Sequence, residues 1–259
     1  MGQLDGRIAV ITGGGEGIGK GIARAYVEQG AKVVLAELDP ERGERTAGEL
    51  GESALFVPTD VRSREQNEAA VQAAIDTWGS IDILVNNAWG GGQIGRSERK
   101  TEREMNHGMD VGFYGPLWAM QYAYPAMRDQ GRGRIINICS LNGVNAHMGT
   151  LEYNSAKEAL RSATRTMARE WARTGITANI ICPAAKSASF HEVMGQHPEL
   201  LSAADAGNPM GRIGDCYEDI APVAVFLGSD GSGYMTGNTL FVDGGGHING
   251  SSWAPDLGD

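Results

Sequence analysis

Short apolar runs alternate with longer helix-like stretches along most of the chain, and this alternation constrains the fold more than any other feature. Runs that are apolar throughout are typical of strands covered on both faces, and a helix between successive strands is typical of a parallel sheet. We therefore predict a doubly wound α/β fold over residues 1–259, with about seven parallel strands and helices on both faces. The predicted strands are Ile8–Ile11, Lys32–Ala36, Ala54–Pro58, Ile81–Val85, Arg134–Cys139, Thr177–Ile181 and Thr239–Val242, and the predicted helices are Gly17–Glu28, Pro40–Leu50, Arg64–Trp78, Val111–Arg128, Glu152–Arg173 and Glu218–Leu227.

A glycine-rich loop, Gly13-Gly-Gly-Glu-Gly-Ile-Gly19, follows the first predicted strand and opens the first predicted helix. It is part of a glycine content of 38 in 259 residues, about twice the usual frequency. Glycines here allow a tight turn and let a pyrophosphate reach the backbone N–H groups at the helix N-terminus. We therefore predict that Gly13, Gly17, Ile18 and Gly19 hold the pyrophosphate of a dinucleotide.

The same loop nearly matches the phosphate loop of nucleotide hydrolases, since Gly14, Gly19 and Lys20 have the required spacing. That motif needs a serine or threonine after the lysine to hold magnesium, and Gly21 has no hydroxyl. The sequence therefore excludes nucleotide hydrolysis and leaves an ordinary strand–helix turn as the alternative to a dinucleotide site.

Glu37 stands at the end of the second predicted strand, about 20 residues after Gly17. A carboxylate at this place accepts hydrogen bonds from the adenosine ribose and repels a 2′-phosphate. Glu16 and Asp39 add negative charge, and no arginine or lysine occupies either position. The predicted cofactor is NAD(H) rather than NADP(H), although Glu37 taken alone is equally well explained as a solvated charge.

Ser140, Tyr153 and Lys157 form the candidate catalytic group. Ser140 ends the fifth predicted strand, and Tyr153 and Lys157 follow on one helix, where positions i and i+4 share a face. A nearby ammonium and the positive nicotinamide of an oxidised cofactor lower the pKa of a tyrosine, so Tyr153 is predicted to act as general acid and base. Ser140 is predicted to hydrogen-bond the substrate oxygen. Taken alone, the Tyr-x-x-x-Lys spacing also fits a surface tyrosine beside a lysine.

Short motifs are spread over most of the chain, from Gly6 to Gly245: Thr12-Gly-x-x-x-Gly-x-Gly19, Asp60-Val61, Asn86-Asn87-Ala88, Ser140, Tyr153-x-x-x-Lys157 and Asp243-Gly-Gly245. In these motifs the chain resembles the short-chain dehydrogenase/reductase family. The resemblance implies a Rossmann-type fold and hydride transfer between NAD(H) and a secondary alcohol or ketone.

The resemblance also implies a role for each matching residue. Asp60 and Val61 would touch the adenine, and Asn87 would lie against the cofactor. Lys157 would bind the nicotinamide ribose and tune Tyr153, which would exchange a proton with the hydroxyl or carbonyl group of the substrate.

Members of this family are usually tetramers in which two helices pack between subunits. The resemblance therefore implies a homotetramer with Val111–Arg128 and Glu152–Arg173 at the contact. Trp118, Met120 and Trp171 suit such a contact, and core burial explains them equally well.

Gly112 stands where the family has an asparagine that anchors a water chain from the lysine to solvent. Glycine has no amide, so the relay must use backbone, water or another side chain, and Asn106, Asn142 and Asn145 are open candidates. If a relay residue is needed here, Gly112→Asn should leave activity unchanged or raise it. A large loss of activity would mean that the glycine makes room for substrate or backbone.

Two further departures from the family pattern fall near the expected substrate position. Trp89 follows Asn86-Asn87-Ala88 where the family has glycine, and both a substrate platform and a packed core ring remain open. Pro183-Ala184 replaces the usual Pro-Gly, and the threonine that usually follows and contacts the carboxamide is absent. Ser187 and Ser189 are candidates to replace it.

Two irregular segments, 89–101 and 186–215, follow strands at the carboxyl edge, where open α/β sheets bind ligands. We predict that they wall the substrate pocket, that the charged run Arg96–Glu104 is a solvated helix start, and that 247–259 is a short C-terminal tail. Apolar residues of the second segment favour a bulky apolar ketone or alcohol, such as a terpenoid or steroid, although core packing explains them equally well. They are Phe190, Met194, Leu200, Leu201 and Met210.

Composition argues against several other classes of protein. The net charge of −10 disfavours nucleic acid and anionic membranes as partners. No apolar stretch approaches the roughly 20 residues of a membrane span, and the first residues have no apolar run typical of a signal peptide. Three cysteines and five histidines lack metal-ligand spacing, so no metal is predicted. The expectation is a cytoplasmic protein with reduced thiols.

The sequence leaves two functions open. The first is an NAD(H)-dependent alcohol dehydrogenase or ketone reductase that acts on a small molecule, with Tyr153 as general acid and base. The second is an NAD-binding protein with weakened or lost catalysis that serves as a sensor or binding partner, as the missing amide at Gly112 suggests. Oxidation of NADH by ketones, lost in Tyr153→Phe, would separate them.

Overall fold

Seven parallel strands form one sheet in the order β3-β2-β1-β4-β5-β6-β7 in the computed structural model, which describes residues 2–187, 190 and 198–248. The predicted fold class is confirmed, and the strand bounds differ from the prediction by at most two residues at either end. The strands are β1 (Ile8–Thr12), β2 (Lys32–Glu37), β3 (Ala54–Pro58), β4 (Ile83–Asn86), β5 (Gly133–Ile138), β6 (Ile176–Pro183) and β7 (Thr239–Val242).

Helices connect the strands and cover both faces of the sheet. Two π-helical turns, Asp110–Tyr114 and Cys216–Ile220, lead directly into the helices that follow them. The helices are α1 (Gly17–Glu28), α2 (Pro40–Leu50), α3 (Arg64–Trp78), α4 (Glu102–Met109), α5 (Gly115–Asp129), α6 (Leu141–Val144), α7 (Leu151–Trp171), α8 (Pro198–Ala206) and α9 (Ala221–Gly228).

The apolar strands bury both of their faces, which explains why the sequence does not alternate between apolar and polar residues. In β1, Ala9 and Ile11 join a core with α1 and α9 on one side of the sheet. Ile8 and Val10 point to the opposite face and join a core with α3, α5 and α7. The two cores hold the carboxyl ends of the central strands in a fixed arrangement, and the candidate site lies at these ends.

The predicted helix Val111–Arg128 is part of a longer helical stretch that begins at Glu102. Thr101 caps this stretch: its hydroxyl accepts from Glu104 N at 3.3 Å, and the Glu104 carboxylate accepts from Thr101 N at 2.8 Å. Such a capping box is a sequence signal for a helix start. The Thr-x-x-Glu pattern was therefore available in the sequence, inside the run interpreted there as a solvated helix start.

The segment 186–215 is less irregular than the sequence indicates, because it contains α8. Its two ends meet where Ala185 bridges Gly214 beside the sheet, and Lys186 N donates to Gly214 O at 2.8 Å. Lys186 Nζ also lies 3.2 Å from Asp205 Oδ2 on α8. The segment is thus anchored at the carboxyl end of β6.

Candidate active site

The site lies where the strand order reverses, between β1 and β4, at the carboxyl ends of both strands. Asn87, directly after β4, donates its backbone N–H to Thr12 Oγ1 at 2.9 Å. Its side-chain amide donates to the carbonyls of Thr12 and Gly13, both at 3.0 Å. These bonds fix the glycine loop against the end of β4, at the type of crevice in which open α/β sheets bind ligands.

The glycine loop has the geometry of a phosphate-binding turn. Gly13 and Gly17 adopt positive φ angles of 64° and 55°, and a Cβ at Gly19 would lie 2.0 Å from the Gly13 carbonyl oxygen. Glu16 precedes α1 but makes no side-chain hydrogen bond to it. The first N–H groups of α1, including that of Ile18, therefore have no side-chain cap and are available to an anion.

Glu37 closes the other side of this loop at the end of β2. Its Oε2 accepts from Gly15 N at 3.0 Å, and its Oε1 accepts from Leu38 N at 2.8 Å and from Asp39 N at 3.1 Å. The carboxylate is thus fixed by three backbone donors beside the glycine loop. This arrangement argues against an isolated solvated charge, the alternative that the sequence left open.

Arg42 on α2 also reaches the loop, which the sequence analysis missed. It pairs with Glu16 at 2.7 Å and with Asp39 at 3.1 Å, the two positions noted for their negative charge. The i,i+3 spacing of Asp39 and Arg42 on a predicted helix start was the available signal. Because two carboxylates flank this guanidinium, the net charge of the group remains negative.

Asp60 and Val61 follow β3, on the far side of β2 from the catalytic group. Arg62 donates to Asp60 through Nη2 at 2.6 Å, and this interaction lowers the pKa of the Asp60 carboxyl. Val61 is buried, and its carbonyl accepts from the Asn67 side chain at 2.7 Å. Both predicted adenine contacts are thus held in place by local hydrogen bonds.

Ser140, Tyr153 and Lys157 are brought together between β5 and α7. Ser140 lies two residues after the end of β5 and caps α6, where its hydroxyl accepts from Asn142 N at 3.1 Å. Lys157 is buried and donates from Nζ to the Ile138 carbonyl at 2.8 Å. The same Nζ lies 5.8 Å from the centre of the Tyr153 ring. The three predicted side chains therefore form one cluster at the carboxyl edge.

Burial shifts the pKa values of this cluster toward the neutral forms. It raises the pKa of Tyr153 to about 12, an effect that a hydrogen bond with Ser140 opposes, and it lowers the pKa of Lys157. Burial also raises the pKa of the nearby Cys139 and Cys182 thiols, to about 12 and about 11. Without further positive charge, Tyr153 is therefore protonated and suited to donate a proton.

Trp89 contacts the catalytic side chains directly. Its ring lies edge-on to that of Tyr153, with 4.5 Å between centroids and an interplanar angle of 69°. Lys157 Nζ lies 5.7 Å from its ring centre. A Cβ at Gly112 would lie 3.0 Å from Trp89 Cζ3 and 2.8 Å from Ala156 Cβ. The glycine thus makes room for the indole and for α7, not for substrate.

The three asparagines considered as relay residues make other contacts. Asn106 lines a separate open cavity with His107 and Asp110. Asn142 donates its backbone N–H to Ser140, and Asn145 donates its own to the Leu141 carbonyl. In the described part of the chain none of the three is hydrogen-bonded to Lys157.

A buried ion pair beside Tyr153 was also missed. Lys100 Nζ lies 2.7 Å from Glu152 Oε2, and each side chain is only 2% exposed. Glu152 Oε1 accepts from Gln93 N at 3.1 Å, and Lys100 also donates to the Gln93 carbonyl. The prediction that the charged run around Lys100 is solvated is therefore wrong at this residue. The pair ties segment 89–101 to α7 next to Tyr153.

The first irregular segment, 89–101, meets the loop before α7. Gly95 N donates to the Gly149 carbonyl at 3.0 Å. Ile94 and Met148 flank this contact and are 71% and 96% exposed. Segment 89–101 and the loop before α7 therefore present apolar side chains to solvent where they meet.

The second segment is only partly described. Met210 is 72% exposed, and Phe190 is half-buried, so neither settles the predicted apolar lining. The Ser187 hydroxyl accepts from Phe190 N at 3.2 Å. Ser189 and Met194 lie outside the described residues, as do the side chains of Leu200 and Leu201 and the tail from residue 249 onward.

The aromatic residues of α5 and α7 divide between surface and core. Met120 is fully buried in the core, which excludes it from the expected subunit contact. Trp118 and Trp171 are half-buried; Trp118 stacks on Tyr114 at 5.9 Å, and Trp171 packs against Tyr124 at 4.6 Å. Two of the three residues named from the sequence thus remain available to a partner.

Neither a metal site nor a membrane span is found in the described part of the chain. No three histidine, cysteine or acidic side chains are grouped so as to hold a metal ion there. Within the same residues, no helix combines the length and the apolar character needed to cross a bilayer.

Known proteins resemble this chain over nearly its whole length. Residues 13–247 match a family model described as enoyl-(acyl carrier protein) reductase. A 12alpha-hydroxysteroid dehydrogenase from a Clostridium species is 35% identical over 95% of this chain and 98% of its own length. A 3-alpha-(or 20-beta)-hydroxysteroid dehydrogenase from Mycobacterium bovis is 33% identical over 94% of this chain and 90% of its own.

A solved structure agrees with these relatives. The crystal structure of a 3-ketoacyl-(acyl-carrier-protein) reductase from Brucella melitensis, complexed with NADH, superposes with a TM-score of 0.87. It is 32% identical to this chain, and the match covers 95% of this chain and all of the other. Fold, site and relatives define an oxidoreductase with a Rossmann-type fold. The chain belongs to the short-chain dehydrogenase/reductase family.

Proposed function

We propose that this chain transfers a hydride between NAD(H) and a secondary alcohol or ketone, with Tyr153 as general acid and base. The observation that carries the proposal is the cluster of Ser140, Tyr153 and Lys157 at the carboxyl edge, beside the glycine loop. The protein surroundings keep the tyrosine protonated, and the ammonium lies close enough to stabilise its phenolate.

The residues at the edge of the sheet fit a dinucleotide. The uncapped N–H groups at Gly17, Ile18 and Gly19 suit the pyrophosphate, together with the turn at Gly13. Glu37 suits the adenosine ribose. Asp60 and Val61 suit the adenine, and Asn87, Tyr153 and Lys157 suit the nicotinamide half. When bound, the nicotinamide supplies a hydride to a carbonyl or accepts one from an alcohol.

NAD(H) is proposed over NADP(H) because negative charge surrounds the ribose end of this cradle. Glu37 is fixed by three backbone donors, and Arg42 is already paired with Glu16 and Asp39. A 2′-phosphate would meet more carboxylate than guanidinium. A fluorescence titration should show tighter binding of NADH than of NADPH, and the reverse order would refute the proposal.

The proton step uses only the catalytic cluster. In ketone reduction, Tyr153 Oη donates its proton to the carbonyl oxygen as charge develops there, and the Ser140 hydroxyl donates a hydrogen bond to the same oxygen. Lys157 stabilises the phenolate that remains. In alcohol oxidation the same phenolate takes the hydroxyl proton, so the tyrosine acts in both directions.

The test is NADH oxidation with a panel of ketones. We expect turnover with at least one ketone and its loss in Tyr153→Phe, which removes one oxygen and leaves the ring. Tyr234→Phe is the matched control, since Tyr234 is fully exposed. Equal activity in Tyr153→Phe and the parent chain would contradict the assignment.

A second candidate is an NAD-binding protein that has lost most of its catalysis. The observation that favours it is Gly112, which offers no amide near Lys157. Tight NADH binding without turnover of any ketone would support this candidate, while turnover would exclude it.

The proposed substrate is a bulky apolar ketone or alcohol. Support comes from the apolar side chains of Ile94 and Met148 on the wall of the site and from relatives named as hydroxysteroid dehydrogenases. The ketone panel should therefore pair fused-ring ketones with small ones of similar reactivity. Higher kcat/KM for the small ketones would contradict this substrate class.

We also propose a cytoplasmic homotetramer that packs through α5 and α7. Half-buried aromatic residues, including Trp118 and Trp171, lie on these helices and would gain burial in such a contact. Light scattering of the purified chain should give four times the monomer mass. A monomer would contradict the assembly without affecting the proposed chemistry.

A further inference from the structure

Trp89 and Gly112 depart from the family pattern together, and the structure places them in contact. We propose that Trp89 is a positioning residue for Lys157: its indole fills the space left by Gly112 and holds the lysine ammonium beside Tyr153. The inference rests on the proposed function, because it concerns the residue that tunes the general acid and base.

The side chains at positions 89 and 112 compete for the same space. A Cβ at Gly112 would lie 3.0 Å from Trp89 Cζ3 and 3.4 Å from Trp89 Cε3. It would also lie 2.8 Å from Ala156 Cβ on α7. A side chain at residue 112 and the observed indole at residue 89 cannot both be accommodated without displacement. The glycine at position 112 and the tryptophan at position 89 therefore depend on each other sterically.

The ammonium group of Lys157 is surrounded by a carbonyl and two aromatic rings. It donates to the Ile138 carbonyl and lies 5.7 Å from the Trp89 ring centre and 5.8 Å from that of Tyr153. Aromatic rings at this distance attract a cation, and a buried site strengthens the attraction. Within the described residues no carboxylate is paired with this ammonium, so carbonyl and rings are its stabilising contacts.

The other titratable groups near the cluster are neutral or already paired. Cys139, directly after β5, and Cys182 on β6 are thiols whose raised pKa keeps them protonated. Glu152, one residue before Tyr153, is bound to Lys100 from the facing segment. Among the neighbours of Lys157, the Trp89 ring is therefore the one whose replacement most directly changes the pKa of the lysine.

The first experiment measures the pH profile of alcohol oxidation with saturating NAD⁺, in which the acid limb of kcat/KM follows the loss of the Tyr153 proton. Trp89→Leu removes the ring but keeps an apolar side chain. We expect its limb to move to higher pH by roughly one unit, because a less stabilised ammonium stabilises the phenolate less. Trp89→Phe keeps a smaller ring and should move the limb by less.

A purely structural role for Trp89 would lower stability in both variants and leave the limb unmoved. An unmoved limb in Trp89→Leu, or a move to lower pH, would overturn the inference. So would an equal shift in Trp89→Phe and Trp89→Leu, because the aromatic face would then be irrelevant.

The second experiment exchanges the two residues. Gly112→Asn alone should lower kcat/KM by roughly tenfold, since the new side chain displaces the indole. Trp89→Gly alone should also lower it, by removing the ring. In the double variant the asparagine meets no indole, and we expect most of the loss caused by Gly112→Asn to be recovered. Losses that multiply in the double variant would refute the coupling, because each substitution would then act independently of the other.

Failure of this inference can be distinguished from failure of the proposed function. If Tyr153→Phe abolishes turnover while the Trp89 variants keep the parent profile, only the inference fails. If Tyr153→Phe keeps the parent activity, the proposed chemistry itself is wrong, and the inference falls with it.

Discussion

The two edges of the sheet both carry buried charge, but they use it differently. At the amino edge, buried Asp82 accepts from Ile8 N at 3.0 Å and from Arg132 Nε at 2.8 Å, with Arg7 at 3.6 Å. Arg7 continues to Asp230 at 2.6 Å. Every charge of this network meets an opposite one, and several of the groups are exposed. The network ties β1, β4 and β5 together and leaves nothing for a ligand.

At the carboxyl edge, the central charge has no such partner among the residues that the structure describes. Lys157 is 2% exposed and is held by a carbonyl and two aromatic rings. A buried cation without a carboxylate is costly to the fold, and its field remains available to a neighbouring phenol or a bound ligand. The difference between the edges is thus one of pairing: opposite charges cancel at the amino edge, whereas the charge of Lys157 at the candidate site is paired with no carboxylate of the described residues.

The largest expected effect comes from removing the uncancelled charge. Lys157→Met keeps the length of the side chain and should lower kcat/KM by about 100-fold or more, because Tyr153 loses the ammonium that favours its phenolate. The free energy of unfolding should stay constant or rise, since a buried charge is removed. Steady-state kinetics and urea unfolding measure both quantities. A stability loss with intact activity would remove the contrast between the edges.

The opposite pattern is expected at the amino edge. Asp82→Asn leaves two arginines without their buried counter-charge and should lower the free energy of unfolding by about 3 kcal/mol. The site lies at the other end of the strands, so kcat/KM per folded molecule should equal that of the parent chain. Urea unfolding and kinetics at low temperature provide the check. A tenfold drop in kcat/KM would mean that the two edges are coupled.

Glu152→Gln tests the paired charge that the carboxyl edge does contain. The variant keeps a hydrogen-bond acceptor for Gln93 N but leaves Lys100 buried without a counter-charge. We expect the free energy of unfolding to fall by about 2 kcal/mol. The KM for ketones should rise several-fold, because segment 89–101 is less firmly held beside Tyr153. If KM is constant while stability falls, the pair of Lys100 and Glu152 only stabilises the fold, as the ion pairs of the amino edge do.

The smallest effect is expected when an exposed partner of the amino-edge network is removed. Arg132 is 51% exposed. When Arg132 is replaced, Asp82 still contacts Arg7 and Ile8 N. Arg132→Ala should therefore lower the free energy of unfolding by less than about 1 kcal/mol. A loss as large as that of Asp82→Asn would show that this one guanidinium, and not the buried carboxylate, holds the edge together.

The sequence predicted the features that depend on local order. The strands follow from apolar runs, the tight glycine turn from the spacing Gly13 to Gly19, and the candidate catalytic cluster from Tyr153 and Lys157 one helical turn apart. All of these are properties of a few neighbouring residues, so they are readable before the chain is folded.

Features that depend on packing between distant segments were not predictable in the same way. Trp89 and Gly112 each looked like a separate departure, and their contact follows only from how segment 89–101 packs against the π-helical turn. Lys100 was taken as solvated because nothing local marks Glu152 as its partner. Complementary size and charge across such distances are set by the tertiary structure and not by a motif.

The packing of α1, which follows the glycine loop, affects the order in which the chain can fold during synthesis. A Cβ at Gly21 of α1 would lie 2.9 Å from the backbone of Cys216, and the Tyr26 hydroxyl donates to the Ala224 carbonyl across 198 positions of the chain. During synthesis the glycine loop therefore leaves the ribosome before the segment that supports it. Helix α1 gains its full packing only once residues 216–228 have also been translated.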